Sequence, residues 1–280
     1  MKNYKIISDS SSDIFSLDEV KYASVPLKII TDEKEYIDSP VLNVDGMITD
    51  LQKYKGQSKS SCPNMEDWTD AIDDSDGFFF VTITKNLSGS FNSASLAVED
   101  YLEEHPEKKC FVVDTLTAGP ECALIIEKLC ELIREGLEFD EIKDAICEYQ
   151  QSTHLLFCLE SLRNLANNGR VSHTVAKVAG ILGIRACGKA SLEGTLEMVS
   201  KVRGADKAVA EIYSKMKEHG YCGGKVDIHH CCNPDSAESL TALIKADFPD
   251  ACIKVRKTGA LCSFYAEEGG YLVGYEGNRK

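Results

Sequence analysis

The segment Gly77–Ala94 reads GFFFVTITKNLSGSFNSA and joins an apolar run to a helical pattern. The run from Gly77 to Ile83 is continuously apolar, apart from one threonine. It lacks the alternation of apolar and polar residues that marks a strand with one solvent-exposed face. Such a run is typical of a strand that is covered on both faces of a sheet. A hydroxyl-rich turn follows it, and helical spacing then continues to His105. A buried strand that leads directly into a helix predicts a parallel α/β sheet.

The same alternation of strands and helices extends through the chain on both sides of this segment. In the first half, strands are predicted at 4–7 and 110–114, a further apolar segment spans 25–30, and a helix is predicted at 123–135. In the second half, strands are predicted at 153–158, 195–201, 225–230, 251–255 and 271–275, with helices at 162–167, 205–219 and 236–247. An amphipathic helix ends near Tyr149. The sequence therefore predicts two domains, residues 1–152 and 153–280.

Charge and composition exclude several classes of function. Hydrophobic residues make up 43% of the chain and charged residues 27%, which is an ordinary globular composition. The 45 acidic residues outnumber the 31 basic ones, so the formal net charge is −14. A field of this sign repels phosphate backbones, and we expect no nucleic-acid partner. It also disfavours docking on anionic membranes.

The chain also lacks the patterns of membrane and secreted proteins. No apolar run reaches the ~18 residues of a transmembrane helix, so we expect no stable membrane insertion. The basic residues at the start run into Ile6-Ile7-Ser8-Asp9 without the apolar core of a signal peptide. We therefore expect a cytoplasmic protein. The twelve cysteines have irregular spacing and are interpreted as reduced, structural thiols.

Three hydroxyl-rich turns are candidates for a binding site. They are Ser8–Asp13, Ser58–Asn64 and Asn86–Ala94. The first is predicted to follow a strand and to feed a helix N-terminus. In an open parallel sheet, ligands bind outside the carboxyl ends of the strands, and helix N-termini there favour a carboxylate or a phosphate. The alternative is that these serines only cap helices.

Metal-binding and catalytic signatures give little support to other functions. Residues 222–232 contain two histidines and three cysteines, but neighbours on a strand point to opposite faces and cannot converge on one metal ion. The chain has no P-loop, dinucleotide-binding or nucleophile-elbow motif. Ser88 with a distant His and Asp leaves open a hydrolase acting on an acyl or phosphorylated substrate.

Five motifs in order resemble the DegV family. They are Ile7-Ser8-Asp9-Ser10-Ser11-Ser12-Asp13, Lys59-Ser60-Ser61-Cys62-Pro63-Asn64, Leu87-Ser88-Gly89-Ser90-Phe91-Asn92-Ser93-Ala94, Asn168-Gly169-Arg170-Val171-Ser172, and Gly194 with Lys201-Val202-Arg203. The resemblance implies a two-domain α/β protein. Its N-terminal domain would be a three-layer α/β/α unit with a parallel sheet, and its C-terminal domain an α/β sandwich with a mixed sheet.

The resemblance also implies a function. Family members bind a long-chain fatty acid between their domains and present its carboxylate to a separate ATP-dependent kinase subunit, without catalytic machinery or a cofactor of their own. Carried over, Ser60 and Ser88 would hydrogen-bond the carboxylate, helped by backbone N–H groups near Gly89. Ser61, Gly89 and Ser90 are predicted with them as ligand-binding residues. Arg170 would support them.

One departure from the family pattern concerns Lys257. Where the family carries His-Thr-Gly-Pro-Gly, this chain has Lys257-Thr258-Gly259-Ala260-Leu261. Lysine has three donors and cannot accept a hydrogen bond, so Lys257 is expected either to pair directly with the carboxylate or to point to solvent.

The free energies of tail burial and head-group hydrogen bonding favour an acyl ligand over a small anion. Each buried CH₂ contributes ~0.8 kcal/mol, so a tail of roughly 16 carbons offers about 10 kcal/mol of transfer free energy. Each hydrogen bond to a charged head group contributes ~1.5–3 kcal/mol. The apolar candidates for a tunnel are Phe157, Leu162, Ile181, Leu182, Ile184 and Phe264. Ordinary core packing explains the same residues equally well.

Overall fold

A computed structural model describes residues 2–172 and 183–279 of the chain. The strands are β1 (Tyr4–Asp9), β2 (Lys21–Val25), β3 (Lys28–Ile30), β4 (Glu35–Ile37), β5 (Lys59–Ser61), β6 (Gly77–Thr82), β7 (Lys109–Asp114), β8 (Thr153–Leu159), β9 (Ile184–Ala190), β10 (Leu196–Arg203), β11 (Val226–His230), β12 (Ile253–Lys257) and β13 (Tyr271–Glu276). The α-helices among the described residues are α1 (Val44–Lys53), α2 (Met65–Thr69), α3 (Ser90–Glu104), α4 (Pro120–Glu135), α5 (Phe139–Tyr149), α6 (Arg163–Asn167), α7 (Ala205–Glu218), α8 (Pro234–Asp247) and α9 (Ala260–Ala266).

The N-terminal sheet is parallel and covered on both faces, as predicted. Its four strands lie in the order β2-β1-β6-β7. Every residue of β6 is buried. Phe78 and Phe80 pack with Trp68 and α3 on one face, whereas Phe79 and Val81 pack with α4 and α5 on the other. The three-layer α/β/α arrangement is confirmed.

The C-terminal sheet is mixed, which confirms the second part of the predicted fold class. Its six strands lie in the order β10-β9-β8-β13-β11-β12, and only β11 and β12 are parallel neighbours. Side chains alternate between its faces. Leu156 and Cys158 of β8 pack towards α7 and α8, whereas Phe157 and Leu159 point to the opposite face, towards α6 and α9.

Two local expectations were wrong. The turn after β1 does not open an α-helix: Ser10–Ser12 form a 3₁₀ turn that ends at Asp13, whose φ is 58°. The side chain of Asp9 caps this turn, and the left-handed conformation of Asp13 stops the helix from continuing. The serine-rich segment around Ser60 is also more than a turn. It contains strand β5, which pairs with β3 in a small antiparallel sheet of order β4-β3-β5.

Helix α4 is a layer shared by the two large sheets. It packs on β1 of the N-terminal sheet and on β8, β11 and β13 of the C-terminal sheet. Gly274 of β13 allows this approach, because a Cβ atom there would lie 2.5 Å from the carbonyl carbon of Pro120. The division at 152/153 stays a prediction. Across residues 2–172 and 183–279, no helix is both long and apolar enough to cross a bilayer.

A buried ionic cluster also joins the two sheets. His229 of β11 is fully buried, and its Nδ1 lies 2.7 Å from Asp13 Oδ2. Its Nε2 lies 3.3 Å from Asp227 Oδ1, a charge contact without hydrogen-bond geometry. Arg256 contacts Asp227 at 3.1 Å and Glu127 of α4 at 2.6 Å. Burial alone lowers the pKa of His229, but the hydrogen bond with Asp13 and the charges of Asp13 and Asp227 outweigh it and raise this pKa to about 9.

The first prediction concerns the substitution His229→Gln. Removing one partner of a buried ion pair leaves uncompensated charge, so we expect the free energy of unfolding to fall by about 3–5 kcal/mol. In wild type, the pKa of His229 is higher in the folded state (about 9) than its ordinary value of 6.5. Its contribution is therefore fully present below pH 6.5 and lost as the pH rises to about 9.

Urea unfolding between pH 6 and pH 9.5 measures both effects. The difference between wild type and His229→Gln should shrink across this range. Lys21→Gln is the control, because its ion pair with Asp74 is exposed at the surface and should contribute little. A wild-type advantage that stays constant with pH would contradict a protonated His229.

Candidate functional site

A narrow apolar cavity of about 70 Å³ lies between the carboxyl end of the N-terminal sheet and the inner face of the C-terminal sheet. Most of its wall is aliphatic or aromatic. The lining residues are Leu27, Ser60, Ile83, Leu87, Ser88, Ala118, Leu155, Phe157, Leu159, Leu165, Arg170, Leu196, Leu261, Cys262, Tyr265, Ala266 and Leu272. Among the described residues, the polar side chains in the wall, besides the thiol of Cys262, are those of Ser60, Ser88, Arg170 and Tyr265.

These four polar side chains converge on one region of the cavity. Ser60 Oγ lies 2.6 Å from Tyr265 Oη. Arg170 Nε donates to the carbonyl oxygen of Leu87 at 3.0 Å, directly before Ser88. The turn around Gly89 abuts the end of β5, since a Cβ atom at Gly89 would lie 3.0 Å from Cys62 Sγ. The cavity therefore has a polar end and an apolar remainder.

The turn that carries Ser88 is held from beneath by Asp9. Asp9 Oδ2 accepts hydrogen bonds from Ser90 Oγ at 2.5 Å and from the Ile83 N–H at 2.9 Å. Its other oxygen accepts from the backbone and side chain of Ser11. Burial raises the pKa of Asp9, although these hydrogen bonds oppose the shift. Ser90 is thus committed to an internal carboxylate, whereas Ser88 faces the cavity.

Helix α9, which carries Tyr265, is positioned by a second buried carboxylate. Asp38 accepts from the Ala260 N–H at 2.6 Å and from the Leu261 N–H at 3.1 Å, so it caps the start of this helix. Ser10 Oγ also donates to Asp38, at 2.9 Å. Burial, with the nearby charge of Asp13, raises the pKa of Asp38 to about 7.

The structure brings three of the predicted site residues to the cavity wall: Ser60, Ser88 and Arg170. Ser61, Gly89 and Ser90 lie beside the cavity and do not line it. Ser61 Oγ donates to the carbonyl oxygen of Cys62 at 3.3 Å.

Lys257 lies away from the cavity. It stands at the end of the edge strand β12, its side chain is 70% exposed, and its Nζ contacts Asp45 Oδ2 at 3.4 Å. Its position beside His230 directs the side chain towards α1 rather than towards Ser60 and Ser88. Of the two alternatives left open for Lys257, the structure supports the solvent-facing one.

The predicted tunnel residues divide in a similar way. Phe157 lines the cavity, whereas Leu162 and Phe264 are buried in neighbouring core clusters and Ile184 is half-buried in β9. Ile181 and Leu182 lie outside the described residues.

Sequence reasoning missed Tyr265. It belongs to an apolar helix rather than to a hydroxyl-rich turn, so no local pattern marked it. Its spacing of four residues from Leu261, which also lines the cavity, is the only signal that was available.

Neither a metal-binding group nor a histidine is found at this cavity among the described residues. In the part of the chain that the structure describes, no group of three or more His, Cys, Asp or Glu side chains is arranged to hold a metal ion. The described histidines are all absent from the cavity wall; they are His105, His154, His219, His229 and His230. All twelve cysteines are free thiols.

Comparisons with known proteins point to one family. Residues 3–276 match the sequence profile described as "Uncharacterised protein, DegV family". A DegV domain-containing protein of Streptococcus pneumoniae is 43% identical over 277 residues, which cover 98% of this chain and 99% of that protein.

Two solved structures are also similar over nearly the whole chain. One is the Fatty Acid Kinase (Fak) B3 protein of Streptococcus pneumoniae, loaded with linoleic acid, which is 43% identical and has a TM-score of 0.97. The superposition covers 99% of this chain and 100% of that protein. A DegV family protein of Eubacterium eligens, loaded with heptadecanoic acid, is 41% identical with a TM-score of 0.96, and 98% of this chain covers all of it.

The second prediction separates Ser90 from Ser88. Ser90→Ala removes a donor from the buried carboxylate of Asp9, so the free energy of unfolding should fall by about 1–3 kcal/mol. Ser88→Ala should cost less, because Ser88 Oγ is half-buried and its internal contact is one 3.2 Å hydrogen bond from the Ser90 N–H. Urea unfolding of the two variants and of wild type measures both. Equal losses would contradict the assignment of Ser90 to the scaffold and Ser88 to the cavity.

Proposed function

The chain belongs to the DegV family, and on this premise we propose that it binds one long-chain fatty acid in the cavity between its two large sheets. The observation that carries the proposal is the shape and chemistry of the cavity: a narrow apolar space with four polar side chains at one end. A fatty acid is divided in the same way, into an apolar acyl chain and a polar carboxylate at one end. The relatives loaded with linoleic and heptadecanoic acids support this choice of ligand.

The carboxylate binds at the hydroxyls of Ser60 and Ser88. Helix α3 starts at Ser90 and runs for fifteen residues, so its N-terminus adds partial positive charge beside the head group. Arg170 adds a full charge at the same end, while its contact with the Leu87 carbonyl holds the turn in place. These donors orient the ligand, and the tail supplies most of the affinity, since each buried CH₂ contributes ~0.8 kcal/mol.

The protein acts as a carrier rather than as an enzyme. The serine hydroxyls that line the head of the cavity among the described residues are those of Ser60 and Ser88, beside the hydroxyl of Tyr265, and a serine nucleophile needs an adjacent base. None of the described histidines lines this cavity, and the carboxylate of Asp9 is occupied by internal hydrogen bonds. A serine-dependent hydrolase is therefore the less favoured function.

The carrier presents its bound carboxylate to an ATP-dependent fatty acid kinase. Two observations support this step. Gly89, next to Ser88, is exposed, so the head-group end lies close to the protein surface. A relative that is 43% identical carries the name of a fatty acid kinase protein. A cytoplasmic location, where such a kinase would find ATP, stays a prediction from the sequence.

The third prediction concerns ligand affinity. Ser60→Ala and Ser88→Ala each remove a hydrogen bond to a charged head group, worth ~1.5–3 kcal/mol, so affinity for linoleic acid should fall roughly 10- to 100-fold. Lys257→Ala is the matched control and should bind like wild type, because this side chain lies outside the cavity. Titration calorimetry on delipidated protein measures the affinities.

The same experiment includes a direct search for ligand. Solvent extraction of freshly purified protein, followed by mass spectrometry, should release fatty acid in near-stoichiometric amount. Protein that releases no lipid and takes up no added fatty acid would refute the carrier function.

The fourth prediction concerns the kinase step. Wild-type protein loaded with fatty acid should support formation of an acyl phosphate when a bacterial fatty acid kinase and ATP are added. The carrier alone should neither consume ATP nor hydrolyse nitrophenyl acyl esters. Ester hydrolysis that disappears in Ser88→Ala would instead establish the hydrolase.

A further inference from the structure

We propose that Tyr265 is a positioning residue that makes the cavity selective for a carboxylate head group. Its hydroxyl donates to Ser60 and thereby leaves the Ser60 proton for the ligand. This inference rests on the proposed function, because it assigns a role within the same site.

The contact between these two residues joins distant parts of the chain. Tyr265 lies on α9, Ser60 lies in β5, and their oxygens are 2.6 Å apart although 205 positions separate them in sequence. Both side chains line the cavity. Asp38 caps α9, so the position of the tyrosine is set by the scaffold rather than by the ligand.

The chemistry of the ligand decides the direction of this hydrogen bond. The geometry of the contact allows either oxygen to be the donor. A carboxylate has no proton and only accepts, so Ser60 must donate its single proton to it. The proton between Ser60 and Tyr265 must then come from Tyr265. Burial raises the pKa of Tyr265, which keeps this proton in place at neutral pH.

The result is a chain of hydrogen bonds in one direction, from Tyr265 to Ser60 to the carboxylate. Such a chain strengthens each member, because a hydroxyl that receives a hydrogen bond becomes a better donor. A fatty alcohol is different, since its head group both donates and accepts. It pairs with Ser60 in either direction and gains little from the tyrosine proton.

The test compares linoleic acid with linoleyl alcohol, which has the same tail and a neutral head. Tyr265→Phe keeps the aromatic ring in the wall and removes only the hydroxyl. We expect this variant to bind the acid about tenfold more weakly and the alcohol within about twofold of wild type. The double variant Ser60→Ala/Tyr265→Phe should bind the acid no more weakly than Ser60→Ala alone.

Tyr213→Phe is the matched control. Tyr213 is also largely buried, and its hydroxyl donates to Asp247 at 2.7 Å, but it does not line the cavity. It should leave both affinities unchanged. Urea unfolding of each variant separates a loss of binding from a loss of folding.

The other outcomes would refute the positioning role of Tyr265, the carrier function, or both. Equal losses for acid and alcohol in Tyr265→Phe would mean that the tyrosine contributes packing alone, and would refute the positioning role. Losses that add in the double variant would do the same. An unchanged acid affinity in Tyr265→Phe, with wild type binding normally, would refute this inference and leave the carrier function intact. Wild type that binds neither ligand would refute the carrier function itself.

Discussion

The carboxylate of Asp13 connects the two halves of the structure. One of its oxygens lies 2.7 Å from His229 Nδ1 in the C-terminal sheet, and the other accepts the Gly259 N–H at 2.7 Å. Asp13 itself ends the turn that follows the first strand of the N-terminal sheet. The cavity lies between the same two sheets. A buried charge is tolerated here because it is paired and hydrogen-bonded on both oxygens.

Buried carboxylates recur around this contact and have a common structural role. Asp9 holds the turn that presents Ser88, and Asp38 holds the start of the helix that presents Tyr265. Each accepts backbone N–H groups that would otherwise lack a partner away from water. The hydroxyls of Ser10, Ser11 and Ser90 complete these networks. These serines therefore build the scaffold, whereas Ser60 and Ser88 are the serines that line the cavity in the described part of the chain.

The fold of this chain is more predictable from its sequence than the site is. Continuous apolar runs such as 77–83 predicted the parallel sheet correctly, because burial on both faces leaves a pattern in consecutive residues. The resemblance to the DegV family led to Ser60, Ser88 and Arg170, all of which line the cavity. The helix expected after Ser8–Asp13 was wrong, because one left-handed residue ended the turn. Local composition did not reveal that conformation.

Lys257 and Tyr265 show what the sequence determined and what the tertiary structure decided. The sequence determined the alternating pattern of strands and helices and the hydroxyl-rich turns, since these depend on residues that are neighbours along the chain. It placed a lysine where the family carries a histidine, but the edge position of β12 turns that side chain to Asp45 and solvent. The contact of Tyr265 with Ser60 spans 205 positions. Helix α9 packs on β3, and β3 pairs with β5, so this packing brings the two side chains together. Chain topology, and not local pattern, sets which distant side chains meet.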